Sequence, residues 1–177
     1  MTAKPSAEPW LRGPVPEIIP ELQPSAHALL NVKEELVAAT KDLTSQELWA
    51  TPGGAAAIGF HVRHIAGSLD RLLTYARGQQ LSAEQRGSLA SERDPTLSPN
   101  DTNSLLEHAN SAIDAAIAQL KATRAEELFE SRSVGRAALP SNVFGLLSHA
   151  AEHAARHAGQ AVTTAKIVSG LGYTRRA

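Results

Sequence analysis

Apolar residues recur every three or four positions through most of this chain, and that spacing constrains its fold more than any other feature. Between Ile58 and Ala76 the series Ile58, Val62, Ile65, Leu69, Leu72, Leu73 and Ala76 holds to it without a break. A period near 3.6 residues places such side chains on one stripe of an α-helix, and the stripe must be buried against other helices. The same spacing returns at Ala26, Leu29, Leu30, Leu36, Val37 and Leu43, and again at Leu105, Leu106, Ala109, Ile113, Ala116, Ile117 and Leu120. Aromatic residues make up only 4% of the 177 residues, while hydrophobic residues make up 42%. The core is therefore built from Ala, Leu, Ile and Val, which suit close-packed helices better than an aromatic-rich β-sandwich. The expected class is all-α.

Local signals set the boundaries. Prolines at 9, 14, 16, 20 and 24 remove backbone donors and fix φ, which predicts an extended, proline-rich arm over residues 1–23, laid over another surface. A first helix is expected over 24–42, with Pro24 in its first turn. Thr44 to Glu47 has capping-box spacing, but Pro52, Gly53 and Gly54 allow it only a short turn. A second long helix is expected from about Ala55 to a stop at Gly78. The polar stretch 79–100, broken by Gly87, Pro95 and Pro99, is long enough to cross from one end of a bundle to the other and to hold a short helix. A third helix follows, capped by Asp101 or Thr102 and ending between 124 and 129. Residues 130–141 lack a helical period and read as a loop or a weak strand pair. Ser141 or Asn142 then caps a fourth helix running to about Ser169, with Gly170 placed to stop it. Four long helices with one long crossover make a four-helix bundle over 24–170, followed by a tail at 171–177.

Charge and composition narrow the function. Seventeen basic and eighteen acidic residues leave a formal charge of −1, without the cationic excess that nucleic-acid binding requires. There is no cysteine, so metal ligands can come only from His, Asp and Glu. The N-terminus lacks the apolar run of a signal peptide, and no stretch reaches the roughly 20 apolar residues of a membrane span. A soluble, cytoplasmic protein is expected.

Within the fourth helix, "LSHAAEHAARHAGQ" (147–160) sets His149, His153 and His157 four positions apart. A step of four turns a helical side chain by about 40° and lifts it about 6 Å, so one step allows two imidazoles to share an ion. Two steps, about 12 Å, do not. The line supplies one ligand pair, either His149 with His153 or His153 with His157. At helical pitch Leu146, the three histidines, Gln160, Thr164 and Ile167 fall in one sector, continuous with the apolar one. A further ligand must come from another helix, and "GFHVRHIAGS" offers His61 and His64 in the first half of the second helix. His61 borders the apolar stripe; His64 is turned a further 60° or so toward Tyr75 and Ser68. Helix geometry leaves the choice between them open. His27 and His108 read as ordinary surface or core histidines, and Glu152 with Arg156 as a surface pair in the favourable acid-before-base order. Gln160, one turn beyond His157, is a candidate for orienting a bound water or substrate.

This layout resembles the DinB-like (DinB/YfiT) superfamily. "HIAGSLDRLLTYARG" (64–78) is similar to that family's second helix with its His-aliphatic-Ala opening, and "HAARHAGQ" (153–160) to its His-x-x-x-His-x-Gly-Gln signature. The likeness covers about residues 24–170. It implies an up-down-down-up bundle with a metal triad of one histidine from the second helix and two from the fourth. By position the triad falls on His64, His153 and His157, leaving His61, His149, Gln160 and Tyr75 as flanking or substrate candidates. Gly67 departs from the pattern, since many relatives carry an acid after the His-aliphatic-Ala segment. Members of known activity are metal-dependent transferases or isomerases that use low-molecular-weight thiols, and the resemblance implies no DNA binding.

Three neutral imidazoles without thiolate suit Zn²⁺, Ni²⁺, Co²⁺ or Fe²⁺ and leave a position for water or a thiol. The first expectation is a metal-dependent transferase whose divalent ion activates a low-molecular-weight thiol, or water, for attack on an electrophilic small molecule. The alternative is a helical stress-response protein that binds a metal or small molecule without turnover. A di-iron oxygenase is disfavoured by the lack of Glu-x-x-His, and a zincin protease by the lack of His-Glu-x-x-His. The proline-rich arm can dock on a second copy to make a homodimer or wrap its own bundle.

Overall fold

A computed structural model describes residues 7–171. Residues 1–6 of the arm and 172–177 of the tail lie outside the described residues. Among the described residues there are six α-helices: α1 (Gln23–Thr40), α2 (Ser45–Leu48), α3 (Ile58–Ala76), α4 (Ala83–Ser91), α5 (Thr102–Ala122) and α6 (Val143–Leu171). A two-stranded antiparallel sheet, β1 (Ser131–Val134) and β2 (Leu139–Asn142), pairs Ser131 with Asn142 and Val134 with Leu139. The class is therefore all-helical apart from this hairpin.

The caps form as their chemistry dictates. Thr44 and Glu47 exchange the two bonds of a capping box at α2. Asp101 accepts from the Ser104 amide at α5 (3.0 Å), and the Asn142 side chain accepts from the Gly145 amide at α6 (2.7 Å). Gly78 follows α3 with φ +74°, a conformation open to glycine. The short helix expected inside 79–100 is α4, started by a capping box between Ser82 and Gln85. Four boundaries shift. α1 ends at Thr40 rather than 42, α3 begins at Ile58 rather than about Ala55, α5 ends at Ala122 rather than between 124 and 129, and Gly170 lies inside α6 rather than beyond it, since the helix continues to Leu171.

Four long helices pack in a closed ring: α1 against α6, α6 against α3, α3 against α5, and α5 against α1. Ile58, Val62, Ile65, Leu69 and Leu73 of α3 meet Leu105, Ile113 and Leu120 of α5 and Leu29, Val32 and Leu36 of α1 in one core. Val37, assigned to the first helix's stripe, is exposed instead, because Leu36 takes the inward position. Through the middle of α6 the buried line is alanine, Ala150, Ala151, Ala154, Ala158, Ala161 and Ala165, with larger residues Val143, Leu146, Leu147 and Val168 only toward its ends. Small side chains let α6 lie close against both α1 and α3, and they turn the helix so that the histidine line becomes its border. Leu146 and Thr164 remain buried, but His149, Gln160 and Ile167 are exposed. The sector expected to face the core is thus split along its length.

The arm lies across its own α1. Gln23 accepts from the Val15 amide (2.7 Å) and donates to the Val15 and Ile18 carbonyls (2.9 and 2.8 Å). His27 bonds the Gly13 carbonyl at 3.0 Å, while Ile18 and Leu22 enter the core. Single turns of 3₁₀ helix at Pro9–Leu11 and Pro20–Leu22 interrupt its extended course. Among the described residues, no helix is long and apolar enough to cross a membrane.

Candidate metal centre

Two histidines from α3 face two from α6. His61 and His64 are three residues apart, so they rise in register with His157 and His153 on the facing helix. The His64 Nε2 lies 2.9 Å from the His153 Nε2, and the His61 Nδ1 lies 2.9 Å from the His157 Nδ1. Ring centres of His64 and His157 are 4.4 Å apart, and those of His153 and His157 are 4.6 Å apart. His64, His153 and His157 each offer a nitrogen, and these three donors lie within 4.8 Å of one another. Tetrahedral Zn²⁺ with bonds of about 2.0 to 2.1 Å needs nitrogens roughly 3.3 Å apart. The 2.9 Å between the His64 and His153 nitrogens and the 4.8 Å limit across all three bracket that spacing, so the donor set is of a size to hold a divalent ion.

The electrostatics favour free lone pairs. Burial pushes the His157 imidazole down to about 4, with the neighbouring His64, His153, His61 and Arg156 adding to the effect. Burial likewise takes His61 down to about 4, helped by His64 and Arg93. His153 is also lowered, first by burial and then by His64, His149 and Arg156. All three are neutral at pH 7, the form that binds metal.

The other expected participants are placed differently. His61 is 4% exposed and stands behind His157. His149 is largely solvent-facing: its ring is 5.5 Å from that of His153, and its Nδ1 is 3.4 Å from Glu152. Glu152 and Arg156 form the surface pair read from their spacing. Gln160 is exposed one turn past His157. Tyr75 packs in the core about three turns from His64, too far along α3 to join the cluster.

Sequence reasoning missed Glu92. This residue of the crossover, just past α4, is only 3% exposed, and its Oε2 accepts from the His64 Nδ1 at 2.5 Å. Its Oε1 sits 2.8 Å from the Arg71 guanidinium. Arg63, one turn before Gly67 as Arg71 is one turn after, donates to the carbonyls of Glu92, Asp94, Leu97 and Pro99. The signal lay in α3: two arginines flanking a glycine at four-residue steps, a polar stripe awaiting an acidic or carbonyl-rich neighbour. Phe60 stacks on His64 (5.3 Å between ring centres), and the Arg93 guanidinium lies 4.3 Å from the centre of the Phe60 ring.

The fold and the histidine cluster define an all-helical protein with a three-imidazole site between two of its helices. Residues 28–161 match the family model of the DinB superfamily, a span that contains His61, His64, Glu92, His153 and His157. The chain belongs to that superfamily. None of the curated proteins compared with it matches.

Proposed function

We propose that His64, His153 and His157 hold a divalent metal, Zn²⁺, Ni²⁺, Co²⁺ or Fe²⁺, and that the protein is a transferase acting on an electrophilic small molecule. The observation that carries this reading is the convergence of three imidazole donors from α3 and α6. When bound, such an ion lowers the pKa of a low-molecular-weight thiol or a water that takes its open position. The chain's part is to hold the donors. His153 and His157 are fixed by their four-residue spacing, His64 by its bond to Glu92, and Phe60 screens one ring face from water.

The cross-contacts support an up-down-down-up bundle over residues 24–170, with the arm 1–23 and the tail 171–177 appended. The histidine pairs run α3 against α6; Arg63 of α3 reaches Pro99 ahead of α5, and Arg77 just past α3 reaches Gln119 near the end of α5; Lys33 of α1 pairs with Asp114 of α5, and Glu17 of the arm, ahead of α1, pairs with Lys121 in the last turn of α5. The near-neutral charge supports a small-molecule partner rather than nucleic acid, and a cytoplasmic location is proposed with the thiol reading, on which it rests.

Protein purified without a His tag should carry a near-stoichiometric divalent ion that His153→Ala loses. Wild type and variant equally free of metal would sink the reading. A cavity of about 770 Å³ between α3, α4 and α5 touches Gly67 and Glu92 but is lined by none of the three histidines. That separation favours a second reading, a protein that binds metal or a small molecule without turnover. A panel of thiols and electrophiles separates the two: thermal protection by a thiol together with its consumption supports the transferase, and neither effect supports the binding protein.

A further inference from the structure

We propose that Glu92 is the positioning residue for His64, delivered to the metal centre by the crossover segment and admitted there by the missing side chain of Gly67. The inference rests on the reading of His64 as a metal ligand and adds what sets that ligand's orientation and tautomer.

A carboxylate buried to this depth needs partners that match its charge and lone pairs. Glu92 Oε2 accepts from the His64 Nδ1 at 2.5 Å, and its Oε1 meets the charge of the Arg71 guanidinium at 2.8 Å, an ion pair without hydrogen-bond alignment. Because a carboxylate only accepts, the hydrogen between Glu92 and His64 belongs to Nδ1. In the neutral ring, the form that binds a metal, the His64 Nε2 then keeps its lone pair, and it is this nitrogen that meets His153 at 2.9 Å. Donation from the far ring nitrogen to a carboxylate both fixes a ligand's orientation and raises its basicity.

The space for this carboxylate exists because residue 67 is glycine. A Cβ there would stand 2.4 Å from the Glu92 Oε1 and 2.8 Å from the Arg71 Nη1. The segment carrying Glu92 is held by Arg63, whose guanidinium takes four of its carbonyls and lies 4.8 Å over the Trp49 ring. Arg63, Gly67 and Arg71 thus form one stripe of α3 that seats the crossover and aims its acid at the back of His64.

The test uses tag-free, full-length protein stripped of metal, titrated with Zn²⁺ by calorimetry, alongside ¹⁵N NMR of the imidazoles before metal is added. Wild type should show His64 as the Nδ1–H tautomer. Glu92→Ala should lose that tautomer signature and bind Zn²⁺ about 10 to 100-fold more weakly. Glu92→Gln keeps a carbonyl that can accept from Nδ1 and should retain the tautomer with a smaller loss. Gly67→Ala meets only the flexible ends of Glu92 and Arg71, so it should keep its helical circular dichroism yet lose affinity as Glu92→Ala does. Wild-type affinity and an unchanged His64 tautomer in Glu92→Ala overturn the role of Glu92. Should that variant not fold, the same result in Gly67→Ala overturns it. Wild-type protein that takes up no Zn²⁺ overturns the metal reading itself, a distinct outcome.

Discussion

His61 and His64, three residues apart on α3, meet different partners. His64 bonds Glu92 on one side and His153 on the other, while His61 stands behind His157. Helical spacing placed both near the site but could not choose between them, because the choice depends on how far α3 is rotated against α6, a product of packing. The buried imidazoles also set a pH response. His61 and His157 have folded-state values depressed to about 4 against an ordinary 6.5, so between these limits the unfolded chain binds more protons. Stability of the metal-free protein should be full above pH 6.5 and should fall as pH drops toward 4. Urea midpoints at pH 7, 5.5 and 4.5 measure this, and His61→Gln should flatten the trend; an equal slope in wild type and variant would contradict it. A second residue-scale outcome concerns Gly59, whose absent Cβ would lie 2.8 Å from the Trp49 ring. That indole is held by the Asn100 carbonyl at 2.8 Å and by Arg63, so it cannot yield easily. Gly59→Ala should cost about 1 to 3 kcal/mol, read as a drop in melting temperature.

Among the elements, α6 differs most from its sequence-based expectation. Its histidine line was placed in a sector continuous with the core, whereas the core side is the alanine line from Ala150 to Ala165. Hydropathy undervalues alanine as a burial signal, because close approach of backbones, not side-chain area, is what it supplies. The result leaves His153 and His157 at the border, half-buried and able to face both α3 and solvent. Ala158 is fully buried, so Ala158→Leu should overpack the interface and cost about 1 to 3 kcal/mol. Because it forces α6 off its neighbours, it should also weaken Zn²⁺ binding, which calorimetry on the folded variant would show. Unchanged affinity would mean the histidines do not depend on that close contact. The caps at Thr44, Asp101 and Asn142 were legible from sequence, since each is a bond between a short polar side chain and an amide three residues on.

On the scale of the whole molecule, the proline-rich arm contributes core side chains as well as cover. Ile18 and Leu22 are buried, and Gln23 fixes the turn that brings them in. Leu22→Ala should destabilise the protein by about 2 to 5 kcal/mol in chemical denaturation, although it removes nothing from the metal site. A cost near zero would show the arm to be a detachable cover. The sequence by itself determined the four long helices, most of their caps and the histidines worth testing, because helical period and capping are interactions between residues a few positions apart. Tertiary structure alone decided which faces meet. The bond from His64 to Glu92 spans 28 residues and that to His153 spans 89, and contacts so distant along the chain depend on the rotation and separation of packed helices. Glu92 carried no local mark because a carboxylate in a polar crossover is ordinarily solvated, and only the packing of Arg63, Gly67 and Arg71 against that segment takes it out of water.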